Sequence, residues 1–295
     1  MILDLMQHLL NGLMLGSILA LPALGLTLIF SVLGFVNFSI AAQMTAGAYA
    51  GWLVNSHFKW PLVPCIMVAF FVAGAIGVAG DRLALKPMRK KVNANTPLMV
   101  AIVSIALNLA LENGYRFLFG NELNSYDLPL VRDFHFLGLG IGPQQAQNLL
   151  IALVMAGVLA AFFSLTRLGK AMRAVADNAD LARLKGINPD SLSNIATFIG
   201  MGLAGVGGAL LAVDTSADPS TGARLLLLIF ASSVVGGLSS LSGAIMGALF
   251  IGVASEMSMF FISPVYKSAI AFVAIVLVLL VKPTGLFSGL SGAKR

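Results

Sequence analysis

The sequence predicts an all-α, polytopic helical membrane protein of about nine spans, eight to ten being the range its apolar runs allow. Three observations carry that expectation. Of the 295 residues, 58% are hydrophobic and only 10% charged, whereas soluble domains run near ~25% charged. The apolar residues fall in repeated runs of about 20, the length a helix needs to cross roughly 30 Å of hydrocarbon. The basic residues are gathered into a few connections between those runs.

In chain order the spans are expected at 9–33, 38–56, 61–80, 97–119, 147–166, 191–213, 223–238, 242–262 and 265–281. The N-terminal stretch carries Asp4 and no basic cluster, so it reads as the approach to the first span rather than a cleaved signal. The second span is weak, with Asn37, Ser39, Gln43 and Thr45 at its start. The seventh is short and joined to the eighth by the tight link Ser239-Ser240-Leu241. One of these segments is expected to be broken or re-entrant. Glycines are dense in the sixth span, from Gly200 to Gly208, and Gly243 and Gly247 form a GxxxG in the eighth, as close helix contact in lipid requires. Residues 26–49 and 226–249 share a faint repeat at an offset of 200.

Orientation follows from Lys and Arg. If the 82–91 connection is cytoplasmic, so are 167–190 and the C-terminus, and 13 of the 18 basic residues then lie inside. The N-terminus is placed outside, and Trp52 and Trp60 flank an outer link at 57–60. The positives thus report membrane topology, not a nucleic acid partner. An outer loop at 120–146 holds Glu122, Asp127 and Asp133, broken by Pro129 and Pro143, and reads as a connector or as a contact for an external partner. The single Cys65 excludes an internal disulfide. The whole of 1–295 is read as one transmembrane domain.

The longest charged segment, Arg167 to Pro189, holds five basic and two acidic residues before Asp190. A turn of the chain needs no such length or pattern, so the segment reads as a docking surface for a partner on the cytoplasmic side. Within the spans, Glu112 and Glu256 would each cost about 2.5–3.5 kcal/mol at mid-bilayer, so both should face protein or water. Asn37, Ser39, Gln43 and Asn108 either line a path for a small polar solute or satisfy backbone groups at a broken helix. No catalytic constellation is present, and His8, His57 and His135 lack metal-ligand spacing. A phosphate-binding GxxxxGK[ST] is also absent, because Gly169-Lys170 runs on into Ala171. ATP-driven transport would need another polypeptide as its engine.

Gly169-Lys170-Ala171-Met172-Arg173-Ala174, then Asp177, then Ala182-Arg183-Leu184-Lys185-Gly186-Ile187, resembles the cytoplasmic loop of bacterial high-affinity branched-chain amino acid ABC transporter permeases. The similarity covers nearly the whole chain. GLTLIFSVLGFVNFS at 25–39, Leu111-Glu112-Asn113, Pro219 to Gly222, and the run Val235-Gly236-Gly237, Gly243, Gly247, Gly252 and Glu256 each resemble a family pattern. The resemblance implies an ABC-importer permease fold without enzymatic activity of its own. It implies a second homologous permease subunit, two cytoplasmic ATPase subunits that bind ATP and magnesium, and a periplasmic solute-binding protein. Gly169, Lys170, Arg173, Asp177, Arg183, Gly186 and Ile187 would then form the ATPase-coupling loop. Asn113 joins Asn37, Ser39, Gln43, Asn108, Glu112 and Glu256 as a candidate for the translocation path. The chain departs from the family at Ser39-Ile40-Ala41-Ala42, where Ala-His-Gly-Glu is usual, and at Leu228, where Lys is common. Leucine, isoleucine and valine are the expected cargo, while close relatives carry urea, short amides, or small aromatic or carboxylic acids. The rival is a stand-alone secondary transporter or channel, with Glu112 and Glu256 as its only intramembrane ionisable candidates.

Overall fold

The computed structural model describes residues 2–90, 96–128, 134–136, 139–260, 263 and 266–287. Pro129 and Asp133, named above, lie outside those residues, as do Lys91, Arg132, Lys294 and Arg295 among the basic residues counted for orientation. Helices occupy each of the expected stretches: α1 (Ile2–Leu33), α2 (Ile40–Phe58), α3 (Leu62–Gly80), α4 (Lys86–Arg89), α5 (Thr96–Phe119), α6 (Pro143–Leu165), α7 (Arg167–Asp177), α8 (Ala179–Leu184), α9 (Pro189–Thr215), α10 (Thr221–Gly236), α11 (Leu241–Ser258) and α12 (Lys267–Val281). A two-stranded antiparallel ribbon, β1 (Phe134–Phe136) with β2 (Leu139–Ile141), precedes α6. Among the described residues, 6 helices are long and apolar enough to cross a membrane, α3 doing so together with α4, while α10 and most of α12 form shorter apolar helices. At 16 residues α10 is about 24 Å long, less than the hydrocarbon thickness, as the short seventh run foreshadows.

The bundle is wound around α1 and α9. α1 packs on α9 and α11, and α9 also packs on α2 and α3. These helices touch backbone to backbone because glycine faces the partner. A Cβ on Gly25 would lie 2.2 Å from Gly200 O, one on Gly47 2.1 Å from Gly205 O, and one on Gly208 1.9 Å from Met44 O. The dense glycines of the sixth run are therefore contact points, as dispersion-driven packing in lipid demands. The α10–α11 hairpin closes in the same way, with Gly236 against Gly243 and Gly247 against Ser232. Beyond α12 the chain returns beneath this hairpin, and Leu286 N donates to the Val235 carbonyl at the end of α10 (2.8 Å).

Two places break the regular pattern, and both position polar groups. The first lies between α1 and α2. Phe35 clusters with Leu85 and Val100, whereas Ala42, seven residues on, clusters with Ala73 and Tyr115. Measured along α3 or α5, that is a climb of roughly 20 Å at 1.5 Å per residue. α2 therefore starts part-way along the bundle and leaves its first N–H groups inside it. The second lies between α9 and α10, where Asp218-Pro219-Ser220 turns the chain. The two breaks share one local structure. Asn37 Oδ1 accepts from Ser39 N (3.1 Å) and Ser39 Oγ (2.7 Å), and Asp218 Oδ1 accepts from Ser220 N and Ser220 Oγ (both 2.7 Å). The helices before the breaks run antiparallel, Gly25 of α1 meeting Gly200 of α9 and Pro22 meeting Gly207. The two similar turns thus follow helices that run in opposite senses, α1 before one and α9 before the other.

Trp60 is half-exposed beside Phe58, whereas Trp52 packs edge-on against Tyr49 and Phe119 and belongs to an aromatic cluster.

Candidate functional site

Two regions gather the residues singled out in the sequence. One is the α7–α8 module. Thr166 caps α7 by accepting from Gly169 N through Oγ1 (3.0 Å), and its hydroxyl donates to Phe162 O (2.6 Å), fixing the bend out of α6. Gly169 sits so close to that bend that a Cβ would lie 2.5 Å from Phe162 O. Met172, Val175 and Ala182 are buried in one cluster with Phe163, Leu192 and Ala196, which seats the module on the ends of α6 and α9. Asn178 caps α8 by accepting from Leu181 N (2.9 Å). Gly186 (φ +79°) ends α8, with Gly186 N donating to Arg183 O (3.0 Å) and Ile187 N to Ala182 O (3.1 Å), the paired bonds of a left-handed helix stop. Asn188 Oδ1 then accepts from Asp190 N and Ser191 N to start α9.

The opposite face of the module is open. Lys170, Arg173, Asp177 and Arg183 are exposed, Arg183 with only a loose contact to Asp180 (3.5 Å), and Leu181 and Leu184 are 55% and 84% exposed. Between α7 and α8 runs a shallow groove of about 270 Å³ lined by Ala174, Asp177, Leu181, Lys185 and Ile187. The residues expected to form a coupling loop thus divide by place. Gly169 and Gly186 shape the module, and the charged ones stand on its free face with apolar side chains between them.

The second region surrounds the start of α2. Phe38 N donates to Ser104 Oγ (2.9 Å) and Ala42 N to Asn108 Oδ1 (2.8 Å), so two α5 side chains satisfy the helix start that the break leaves bare. On the other flank Gly222 N of α10 donates to Thr45 Oγ1 (3.1 Å), and a Cβ on Gly222 would lie 1.8 Å from Ala41 O. Asn37, Ser39 and Asn108 all hydrogen-bond at this helix start. Gln43 is fully buried, and both atoms of its amide lack a partner among the described residues, as does Asn37 Nδ2. Glu112 Oε1 accepts from Arg116 Nη2 (2.7 Å), so the acid expected to be costly in the membrane is paired one turn along its own helix. Asn113 faces away, exposed, donating to Leu109 O (2.7 Å). Glu256 is half-buried on α11, which packs on α1, α10 and α12, and so is not brought together with the others.

Sequence reasoning passed over Ser104, Thr45 as a tie to α10, and the pairs Glu112–Arg116 and Asp218–Arg224. The spacing of Ser104, Asn108 and Glu112 at i, i+4 and i+8 was the available signal, since it places all three on one helix face. Over this region the 120–128 segment folds inward. Asn124 pairs with Ala217, Asn55 Oδ1 accepts from Asp127 N (2.6 Å), and Tyr126 donates to Ala48 O (2.9 Å). Burial pushes the Tyr126 phenol above its ordinary range, which keeps it protonated as that donor. No group of three or more metal-ligating side chains occurs among the described residues.

A bundle of backbone-packed helices with broken spans and a capped amphipathic module at one end is the architecture of a membrane permease. Residues 8–279 match the family described as the permease component of branched-chain amino acid transport systems, and the chain belongs to that family. It is 30% identical to the high-affinity branched-chain amino acid transport system permease protein LivH of Escherichia coli, over 95% of this chain and 94% of that one. To the permease protein BraD of the corresponding Pseudomonas aeruginosa system it is 29% identical, over 95% of each chain. The fold is shared with PsaBC from Streptococcus pneumoniae, solved in complex with a Fab, at a TM-score of 0.52 and 13% identity, covering 99% of this chain and 100% of that one.

Proposed function

We propose that this chain is the membrane-spanning permease subunit of an ATP-driven importer for branched-chain or other small hydrophobic amino acids. In this reading a binding protein delivers the substrate from the periplasm, and two ATPase subunits, holding ATP and magnesium, supply the work from the cytoplasm. A second, homologous permease completes the path in the inner membrane. Family membership supports the cargo class, because relatives covering almost the whole chain are permeases of branched-chain amino acid systems.

The single observation that carries the coupling role is the build of the α7–α8 module. Its buried side is locked to α6 and α9, while its free side offers Lys170, Arg173 and Arg183 around exposed Leu181 and Leu184. A helix lying on anionic lipid would show basic residues above an apolar stripe dipping into the bilayer. Here Met172, Val175 and Ala182 are spent on the protein, and the free face, with Leu181 and Leu184 among its charges, suits a second protein surface. Charge-assisted hydrogen bonds from Arg173 and Lys170 to a partner's carboxylates would hold it. ATP closing the ATPase dimer would then move the module, and with it α6 and α9, in alternating access.

The test is co-purification with the ATPase and uptake in proteoliposomes. Arg173→Glu is expected to abolish ATPase capture while leaving the permease folded, and uptake is expected to need ATP inside and binding protein outside. Capture unchanged by Arg173→Glu sinks the docking role. Accumulation driven by an ion gradient alone would favour a secondary transporter.

A further inference from the structure

We infer that Arg116 and Arg224 are a pair of guanidinium forks, each anchored by a buried acid, that receive the carboxylate of the transported solute. The inference rests on the importer reading above and narrows its cargo to molecules that bear a carboxylate, setting aside urea and neutral amides. Glu112 and Asp218 are nearly buried, their side chains 11% and 8% exposed, while the arginines they hold are 43% and 63% exposed. Among the other described ion pairs, Lys59–Asp127 is exposed on both sides at 79% and 71%, Lys86–Asp190 has the more covered base at 26% and 72%, and Asp81–Arg89 is largely buried at 1% and 19%. Only these two pairs, among the described ion pairs, combine a hidden acid with a presented Arg.

Their placement matches. Glu112 lies one turn beyond Asn108, which is tied to Ala42 on one flank of α2. Asp218 lies at the entry to α10, whose Gly222 is tied to Thr45 on the other flank. Ala42 and Thr45 lie three residues apart on one face of α2, so the two pairs approach the same stretch of that helix, one from α5 and one from α10. Both lie at the end of the bundle away from α7–α8, under the 120–128 segment that pairs with Ala217, which the importer reading places outside. Snorkelling to a headgroup would explain an exposed Arg but needs no buried acid behind it. A fixed fork, by contrast, is what bidentate carboxylate recognition requires, because the acid takes up one edge and orients the rest. Each guanidinium gives Nη2 to its acid and makes no other hydrogen bond among the described residues.

The test uses the whole importer, with its ATPases and binding protein, in proteoliposomes loaded with ATP. Uptake is measured with the solute that thermal-shift screening finds for the binding protein. Arg116→Gln and Arg224→Gln are each expected to lower maximal uptake at saturating loaded binding protein at least tenfold, with partial recovery in the Lys variants. The double variants Glu112→Gln with Arg116→Gln, and Asp218→Asn with Arg224→Gln, leave no unpaired buried charge and are expected to assemble normally yet show the same loss. Affinity for the binding protein is expected to stay within twofold throughout. Uptake unchanged in the double variants overturns the inference, and so does a parallel loss of binding-protein affinity, which would make the arginines docking contacts. A neutral urea or amide as the screened solute overturns it too. If the wild-type assembly itself takes up nothing with ATP, the importer reading falls and the inference with it.

Discussion

Single side chains in this protein are most informative where they do a backbone's work. Asn108 accepts from Ala42 N inside the bundle, a donor that the break before α2 would otherwise leave bare. Asn108→Leu is expected to cost about 1–3 kcal/mol, the penalty for a buried donor without a partner, read as a lowered melting temperature in detergent. Asn113→Leu, five residues on, is the matched control, because that side chain is exposed and bonded only to its own helix. It is expected to melt within a degree or two of the wild type. Gly186 poses the converse case. Its φ of +79° admits glycine freely and other residues poorly, so Gly186→Ala is expected to destabilise the module by about 1 kcal/mol or more. Limited proteolysis after Arg183 and Lys185 would report it as faster cleavage.

At the scale of the helix, the seams are set by backbone approach and the breaks by paired turns. Gly222→Ala would drive a Cβ against Ala41 O where α10 meets α2, with no flexible side chain there to give way. The expected outcome is loss of folded protein from size-exclusion profiles, while Gly157→Ala, with open space around that position, leaves them unchanged. Much of this level was legible in the sequence. Runs of about 20 apolar residues locate helices because the bilayer fixes their length, and the run from Gly169 to Ile187 stood out by its charge. The weak second span also declared itself through Asn37, Ser39 and Gln43. What stayed hidden was pairing across the chain. Nothing local in the sequence says that Asn108 serves Ala42, that Thr45 serves Gly222, or that the turn at Asn37 has its counterpart at Asp218. Glu112 looked isolated because insertion scales treat one residue at a time, and its partner Arg116 lay one turn away in the same helix.

For the molecule as a whole, the division of labour runs along its length. One end carries the locked α7–α8 module, further braced by Lys86 reaching Asp190 (3.8 Å) between α4 and the start of α9. The middle is the crossing of α1, α2, α9 and α10, where two spans are interrupted and polar groups such as Gln43 wait without partners among the described residues. A motion that opens the packing around α2 would hydrate that amide and relieve its cost. Gln43→Leu is therefore expected to raise thermal stability by about 1 kcal/mol while slowing uptake, the two readings moving in opposite directions in the same preparation.

The glycine seam along α9 has a practical corollary. Replacing helical glycines with alanine is the usual first step in making a protein sturdier for crystallisation or sensor design, gaining roughly 1 kcal/mol per site in an ordinary helix. At Gly200, Gly205 and Gly208 the sign reverses, because the added methyl has nowhere to go but into another helix's main chain or a methyl already packed there. An engineer working on this permease should leave α9 untouched and spend substitutions on the exposed flanks of α5 and α6 instead.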